Sequence, residues 1–355
     1  MRLLFLVLSA LFLSSSPAFG QITLPSAAPA STQPDLNSPA ELIRLSALMN
    51  RLTYAQVRPW HLRATYEVMD SDGHKVEHGT YDVFFGGPQK YKEVYASKHF
   101  SQTTYMTDHG AFRTGEMLGA FGADRLLVSK IFVHLPNDAV LQATSQQMSP
   151  ITLDGVSLRC IEISMKAPQT TVRTVPNTYC LDANNLSLRY ERSVGSTSAE
   201  LSGATWFNQV TLFHDHFVAR DINVTYFDKP YLHAHVDVLE DLGTVNDADF
   251  QPPPNASPTQ TGRPVVSDTA MKARIIKRVS PKDVRVSGVN PNGLVVLSIV
   301  VGKDGHVLAV KPVSGLKDLQ DDVIKAVSQW VYQPVMVNNE PVEVETEIIE
   351  QFGAK

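Results

Sequence analysis

Gly293-Leu-Val-Val-Leu-Ser-Ile-Val-Val-Gly-Lys-Asp-Gly-His-Val-Leu-Ala-Val-Lys-Pro-Val313 holds two aliphatic runs divided by Gly302-Lys-Asp-Gly305. β-Branched residues at this density, parted by a glycine-flanked tetrad, predict a β-hairpin with its turn at 302–305. Beyond it, Ser314-Gly315 opens a helix in which Leu316, Leu319, Val323, Val327 and Trp330 fall on one face. Asp318, Asp321 and Asp322 lie near its start, where the helix dipole favours negative charge. Asn338-Asn339 then turns the chain into Pro341-Val-Glu-Val-Glu-Thr-Glu-Ile-Ile349. The predicted order is β-β-α-β-β, a small unit without a polar cleft.

Working back along the chain, residues 251–264 contain five prolines and no aliphatic residue larger than alanine. That composition predicts a semi-rigid linker, which places a C-terminal domain at 265–355. The N-terminal domain, 38–250, starts at Ser38-Pro-Ala-Glu41, a capping box with proline at the first helical position. Leu42, Leu45, Leu48, Met49 and Leu52 follow as the expected apolar stripe. From Trp60 to Leu242 short alternating runs such as Gly79–Phe85 and Tyr91–Tyr95 are punctuated by turn signals. Asp72-Gly73, Gly86-Gly87-Pro88, Asp108-His-Gly110, Asp154-Gly155 and Asp182–Asn185 are among them. One amphipathic helix ahead of a long antiparallel meander is the expected arrangement. The fold class is therefore α+β, an open β-barrel-like N-terminal domain joined to a small ββαββ domain.

Arg2, the apolar run Leu3–Leu13, and Ala18 and Gly20 at the −3 and −1 positions predict a secretory signal over residues 1–20. An 11-residue run is short for a membrane anchor, which needs about 20 residues. Residues 21–37, rich in Pro, Ala, Ser and Thr, form the expected flexible leader. The mature chain is expected in the periplasm and not spanning a membrane. Export makes the two cysteines readable. The strands around Cys160 and Cys180, paired about a centre near position 170, set the cysteines directly opposite one another. A structural disulfide is expected there in preference to two free thiols.

Composition removes several function classes. A net charge of −5 over 355 residues, with no basic stripe, argues against a nucleic-acid partner. No nucleophile elbow, His-Glu-x-x-His or phosphate-binding glycine loop is present. No catalytic residue, metal ligand or cofactor is assigned, and the protein is not expected to be an enzyme. The histidines in His214-Asp-His216 and His233-Ala-His-Val-Asp237 invite a metal reading. A turn at 228–230 would pair His233 with Thr225 and His235 with Asn223, which leaves a solvated strand face. In the C-terminal domain Lys272, Arg274, Lys277, Arg278, Lys282 and Arg285 cluster ahead of the hairpin, and Glu340, Glu343, Glu345, Glu347 and Glu350 at the end. Glutamates at alternate positions on an outer strand first guard that edge against aggregation, and second offer selection of a partner by charge.

Gly293 with its aliphatic run, Lys303-Asp-Gly305, Val313-Ser-Gly315, Ala326–Trp330, Tyr332-Gln-Pro334 and Pro341-Val342 together resemble the TonB C-terminal domain family over about 265–351. The resemblance implies a helix packed on a small antiparallel sheet. It also implies docking of an envelope protein, such as an outer-membrane transporter, by strand addition along the last strand. The partner-binding residues implied are Val342, Val344, Thr346 and Ile348. The chain departs from TonB in lacking a lasting membrane helix and a spacer long enough to cross the periplasm, so energy transduction is not implied. Residues 38–242 resemble, in pattern alone, the LolA-like lipoprotein-carrier fold. That likeness implies an apolar cavity for a lipid; an ordinary filled β core is the alternative.

Overall fold

The structure, a computed structural model, describes residues 35–53, 58–70, 72–119, 123–153, 155–165, 177–193, 203–226, 228–266, 268–281, 293–315 and 317–352. The expected signal, residues 21–34 of the leader, Lys282, Arg285 and Leu316 lie outside them.

Helix α1 (Pro39–Met49) begins where the capping box predicts, with the Ser38 hydroxyl accepting from the Glu41 amide. Its buried face differs from the predicted leucine stripe. Leu42, Ile43 and Ser46 are buried while Leu48 is exposed. Polar anchoring turns the helix: the Ser46 hydroxyl and the Asn50 amide both donate to the Leu186 carbonyl, at 2.8 and 3.2 Å, and the Leu188 amide donates to Asn50 Oδ1 at 3.1 Å. Periodicity weighs only apolar residues, so it misses a face fixed by two polar ones.

Five strands follow: β1 (Trp60–Met69), β2 (Lys75–Gly87), β3 (Lys90–Ser97), β4 (Ser101–Thr107) and β5 (Gly110–Gly115). The chain then leaves the sheet for α2 (Ala123–Ile131) and α3 (Asp138–Ala143), and returns as β6 (Thr144–Leu153) and β7 (Val156–Met165). Next come β8 (Asn177–Asp182), β9 (Leu188–Ser193), β10 (Gly203–Phe213), β11 (His216–Tyr226) and β12 (Lys229–Asp241). Strand β12 lies against β1, so the order is β5-β4-β3-β2-β1-β12-β11-β10-β9-β8-β7-β6, all antiparallel. The expected single meander is thus split in two by α2 and α3, and the two halves meet through β1 and β12. The sheet does not close.

Alternation sorts the side chains of this sheet onto two faces. Trp60, Leu62, Tyr81, Tyr95, Ile161, Leu181 and Phe207 form one core with Leu42, Ile43 and Leu127 of the helices. Trp60 stacks on Phe85 with ring centroids 5.0 Å apart. Leu158, Cys160 and Cys180 form a smaller cluster separate from that core. Cys160 and Cys180 are opposed in the β7–β8 register and joined by a disulfide, as their spacing predicts.

The proline-rich stretch does more than separate two parts. Strand β13 (Ser257–Thr259) extends the large sheet by pairing with β5, Ser257 opposite Arg113 and Thr259 opposite Ala111. Proline is tolerated there because an edge strand need not donate on its outer side.

Beyond it lie α4 (Asp268–Lys272), β14 (Ile275–Lys277), the hairpin β15 (Gly293–Val301) and β16 (Val307–Gly315), and α5 (Lys317–Val327). Strands β17 (Val331–Tyr332), β18 (Val335–Val337), β19 (Glu340–Val342) and β20 (Val344–Phe352) complete the chain. The turn between β15 and β16 falls as predicted, with Gly305 at φ +85. Asn338 and Asn339, at φ +51 and +66, close the β18–β19 hairpin in the left-handed region that asparagine tolerates. Strands β16-β15-β20 form an antiparallel sheet in that order. Val295, Leu297, Ile299, Val344 and Ile348 bury against Leu319, Val323, Val327 and Trp330 in a second core. The predicted helical face is the one that packs, with Leu316 outside the described residues.

Candidate functional site

Strand β20 is the last strand of the C-terminal sheet, with β15 on one side. In an antiparallel pair, successive residues alternate between directing both main-chain groups at the neighbour and directing both away from it. The Glu345 amide donates to the Pro264 carbonyl, and the Glu345 carbonyl accepts from the Val266 amide. Residue 345 therefore faces away from β15, and by alternation so do 343, 347 and 349. Val344, Thr346 and Ile348 direct their main chain at β15, and their side chains, each 0% exposed, point at the core. Val342 is half-buried in β19 opposite Val335. The strand implied by resemblance stands at the sheet edge, and the main-chain groups that face away from β15 are those of its odd-numbered residues.

Those outward groups are engaged by the chain's own residues 260–272. The Gln260 side-chain amide imitates a peptide group: its Nε2 donates to the Glu343 carbonyl and its Oε1 accepts from the Glu343 amide, both at 3.1 Å. Pro264 and Val266 bracket Glu345, with Val265 opposite it in a parallel bridge. Further along, the Ile349 amide donates to Asp268 Oδ1, and the Lys272 ammonium donates to the Ile349 carbonyl. Arg263 holds the centre. Its Nε donates to Glu343 at 2.8 Å, Nη1 to Glu345 at 3.3 Å, and Nη2 to the Thr259 hydroxyl at 3.1 Å. The guanidinium is only 9% exposed and the two carboxylates 19% and 15%, so the cluster is shielded more than a surface pair.

Part of the remaining charge asymmetry resolves internally too. Arg278 pairs with Glu350 at 2.8 Å and stacks over Trp330, while Lys272 pairs with Asp268 at 3.0 Å. The basic cluster ahead of the hairpin and the acidic end of the chain meet. Spacing along the sequence showed both clusters but not their contact. Gln260 and Arg263 carried no signal at all, because they sit in a stretch whose prolines spell a spacer.

In the large sheet, the β11–β12 turn is tighter than predicted: Tyr226 pairs with Lys229 and a bulge falls at Thr225. The register moves by two residues, so His233 faces Asn223 and His235 faces Asp221. His233 Nε2 lies 2.9 Å from Asp221 Oδ2 and His235 Nδ1 3.9 Å from it. His214 pairs instead with Asp241, away from this pair. Asp70, Asp72 and His74 also approach one another, but Asp70 Oδ1 accepts the Asp72 and His74 amides, at 2.9 Å each, in closing the β1–β2 turn. On the core side, the Tyr81 hydroxyl donates to Glu93 Oε1 at 2.9 Å among Tyr91 and Tyr95, and burial pushes the Glu93 carboxyl up.

Residues 289–352 match the family model for the Gram-negative bacterial TonB protein C-terminal, overlapping the span that the motifs indicate. No curated protein matches the chain. Among solved structures, the chain is similar to a putative outer membrane lipoprotein-sorting protein domain from Vibrio parahaemolyticus, at 7% identity and a TM-score of 0.37, covering 59% of this chain and 94% of that one. It is similar also to a LolA superfamily protein from Nitrosomonas europaea, at 8% identity and a TM-score of 0.38, over 61% and 98%. A DUF1329 family protein from Desulfovibrio piger gives 8% and 0.39, over 62% and 98%. Among the described residues no helix is long and apolar enough to cross a membrane.

Proposed function

We propose that this is an exported cell-envelope binding protein, not an enzyme, whose C-terminal domain (265–355) docks an extended segment of an envelope protein, such as an outer-membrane transporter, along β20. The observation that carries the reading is the edge position of β20 in a sheet matching the TonB C-terminal family, with the 343–349 main chain able to accept a strand-like neighbour. Main-chain pairing of this kind supplies affinity without a preformed pocket. Export is supported by the signal-like start of the sequence and by the Cys160–Cys180 disulfide, a bond that persists in oxidising compartments.

The test places a photocrosslinking residue at Gln351, exposed near the end of β20, in cells with an intact envelope. A discrete adduct with one envelope protein is expected. Glu347→Pro, which removes an outward amide and spares the β15 ladder, should abolish it while the circular dichroism spectrum stays unchanged. An adduct that survives Glu347→Pro would place the partner elsewhere.

A second reading, lipid carriage by the N-terminal domain (38–250), draws support from the unclosed sheet with helices packed on one face. Native mass spectrometry of the full chain should then show a bound lipid, and a mass matching the bare chain would remove it.

A further inference from the structure

The docking edge already has an occupant. We infer that Gln260–Val265 is a built-in ligand of β20, and that a partner docks by exchanging with it, as an extended segment running parallel to β20 with a cation opposite Glu343 and Glu345. This rests on the docking reading above and adds its regulation and the chemistry of the partner.

Three observations carry it. First, the occupant copies strand addition group by group: the Gln260 carboxamide serves residue 343, and the peptide groups flanking Val265 serve residue 345. A segment that reproduces these bonds fits the same edge. Second, the occupant's grip is polar where it lies on the edge and apolar only beyond it. Val265 is 65% exposed, whereas Val266 packs on the second core and Met271 is fully buried. Gln260–Val265 can therefore lift away while Met271 stays anchored and β13 stays paired to β5. Gly262, at φ +63, gives the segment a bend that other residues adopt at a cost. Third, two glutamates of β20 converge on one guanidinium. Removing Arg263 without replacement would leave two neighbouring partly buried carboxylates without the guanidinium that bridges them, so the exchange favours an incoming segment that brings its own cation.

Tethering makes the internal segment a strong competitor, since a short connection gives an effective concentration in the millimolar range. A free segment of equal intrinsic affinity is then excluded until the internal one is weakened, or until the partner adds contacts of its own.

The probe is a fluorescein-labelled peptide carrying residues 258–267 of this chain, titrated against the full-length protein and followed by anisotropy. The wild type should bind it weakly. Protein carrying Gln260→Ala and Arg263→Ala should bind at least tenfold more tightly, and a peptide with glutamate in place of its Arg263 should lose that gain. Gln260→Ala alone, which removes only the two part-buried bonds to the Glu343 main chain, should move affinity in the same direction by a smaller factor and guards against a misfolded double variant. Equal affinity for wild type and both variants, with matching circular dichroism melts, overturns the inference. A gain that the charge-reversed peptide retains overturns its requirement for a cation. The Gln351 crosslink decides the parent reading separately: an adduct lost in Glu347→Pro, without any peptide gain, leaves docking in place and removes only the exchange.

Discussion

Glu93 shows what one side chain can do inside an apolar sheet. Its carboxyl accepts from Tyr81 among aromatic rings, and burial raises its pKa because the ionised form loses hydration. A group whose folded pKa stands above its unfolded value contributes most below the unfolded value, about 4.3. That contribution is lost as pH rises through the folded pKa. Glu93→Gln should thus raise the melting temperature relative to the wild type at pH 7 and have little effect at pH 4. Equal shifts at both values would show that the charge is not the cause. The histidines teach the reverse lesson. Their identities invited a metal site, but a tighter β11–β12 turn, partly offset by the bulge at Thr225, moved the register by two and set them against Asp221. A residue's chemistry is legible from its name; its neighbour depends on where a turn is placed.

Elements are placed by contacts that periodicity only partly records. Helix α1 was expected to dock by a leucine stripe, yet Asn50 and Ser46 fix its rotation through the main chain at Leu186 and Leu188. Asn50→Ala leaves the buried Leu188 amide without its side-chain acceptor and should cost about 1–3 kcal/mol, measured by urea denaturation. Leu48→Ala, on the exposed side, should change stability by less than about 0.5 kcal/mol. Strand β20 follows the same logic. Its alternation was plain in Val344, Glu345, Thr346 and Glu347, and the inward set is the one that buries. Resemblance pointed to the inward residues as the docking set. Because residues of a paired strand alternate the direction of their main-chain groups, those residues serve β15, and the odd-numbered ones face away from it, where residues 260–272 engage 343, 345 and 349. Helix α3 starts at an Asn137 cap whose side chain accepts from the Val140 amide.

Across the whole molecule, the N-terminal and C-terminal parts own separate cores, one around Trp60 and Tyr81 and one around Trp330. Both cysteines lie in the N-terminal part, in the small cluster separate from its main core. A disulfide closing a loop of 20 residues contributes about 3 kcal/mol by constraining the unfolded chain. In calorimetry, the Cys160→Ala, Cys180→Ala variant should lower a transition of the large sheet and leave that of the C-terminal part in place. Trp330→Ala, which removes a fully buried ring and its bond to the Val279 carbonyl, should do the converse at a cost of about 3–5 kcal/mol. A single transition that both variants shift equally would show one cooperative unit in place of the two proposed domains. The segment between them is tied to the large sheet by β13 and to β20 by Gln260 and Arg263, and the Lys311–Glu116 ion pair joins β16 to the residue after β5.

The amino-acid sequence by itself determined the local elements: the β15–β16 hairpin, the amphipathic face of α5, the cap of α1 and the opposition of Cys160 to Cys180. Each rests on residues a few positions apart, or on two strands joined by one turn, where chain geometry leaves little choice. Tertiary structure alone decided that β12 lies beside β1, that the proline run forms strand β13, and that Gln260 and Arg263 cover the edge of β20. These contacts join residues about 80 to 180 positions apart. Their energy is gained only when both partners are brought together, so neither partner carries a local mark of the other. The stretch that reads as a spacer between two domains is, in the folded chain, an edge strand of the large sheet at 257–259 and the cover of the β20 edge at 260–266.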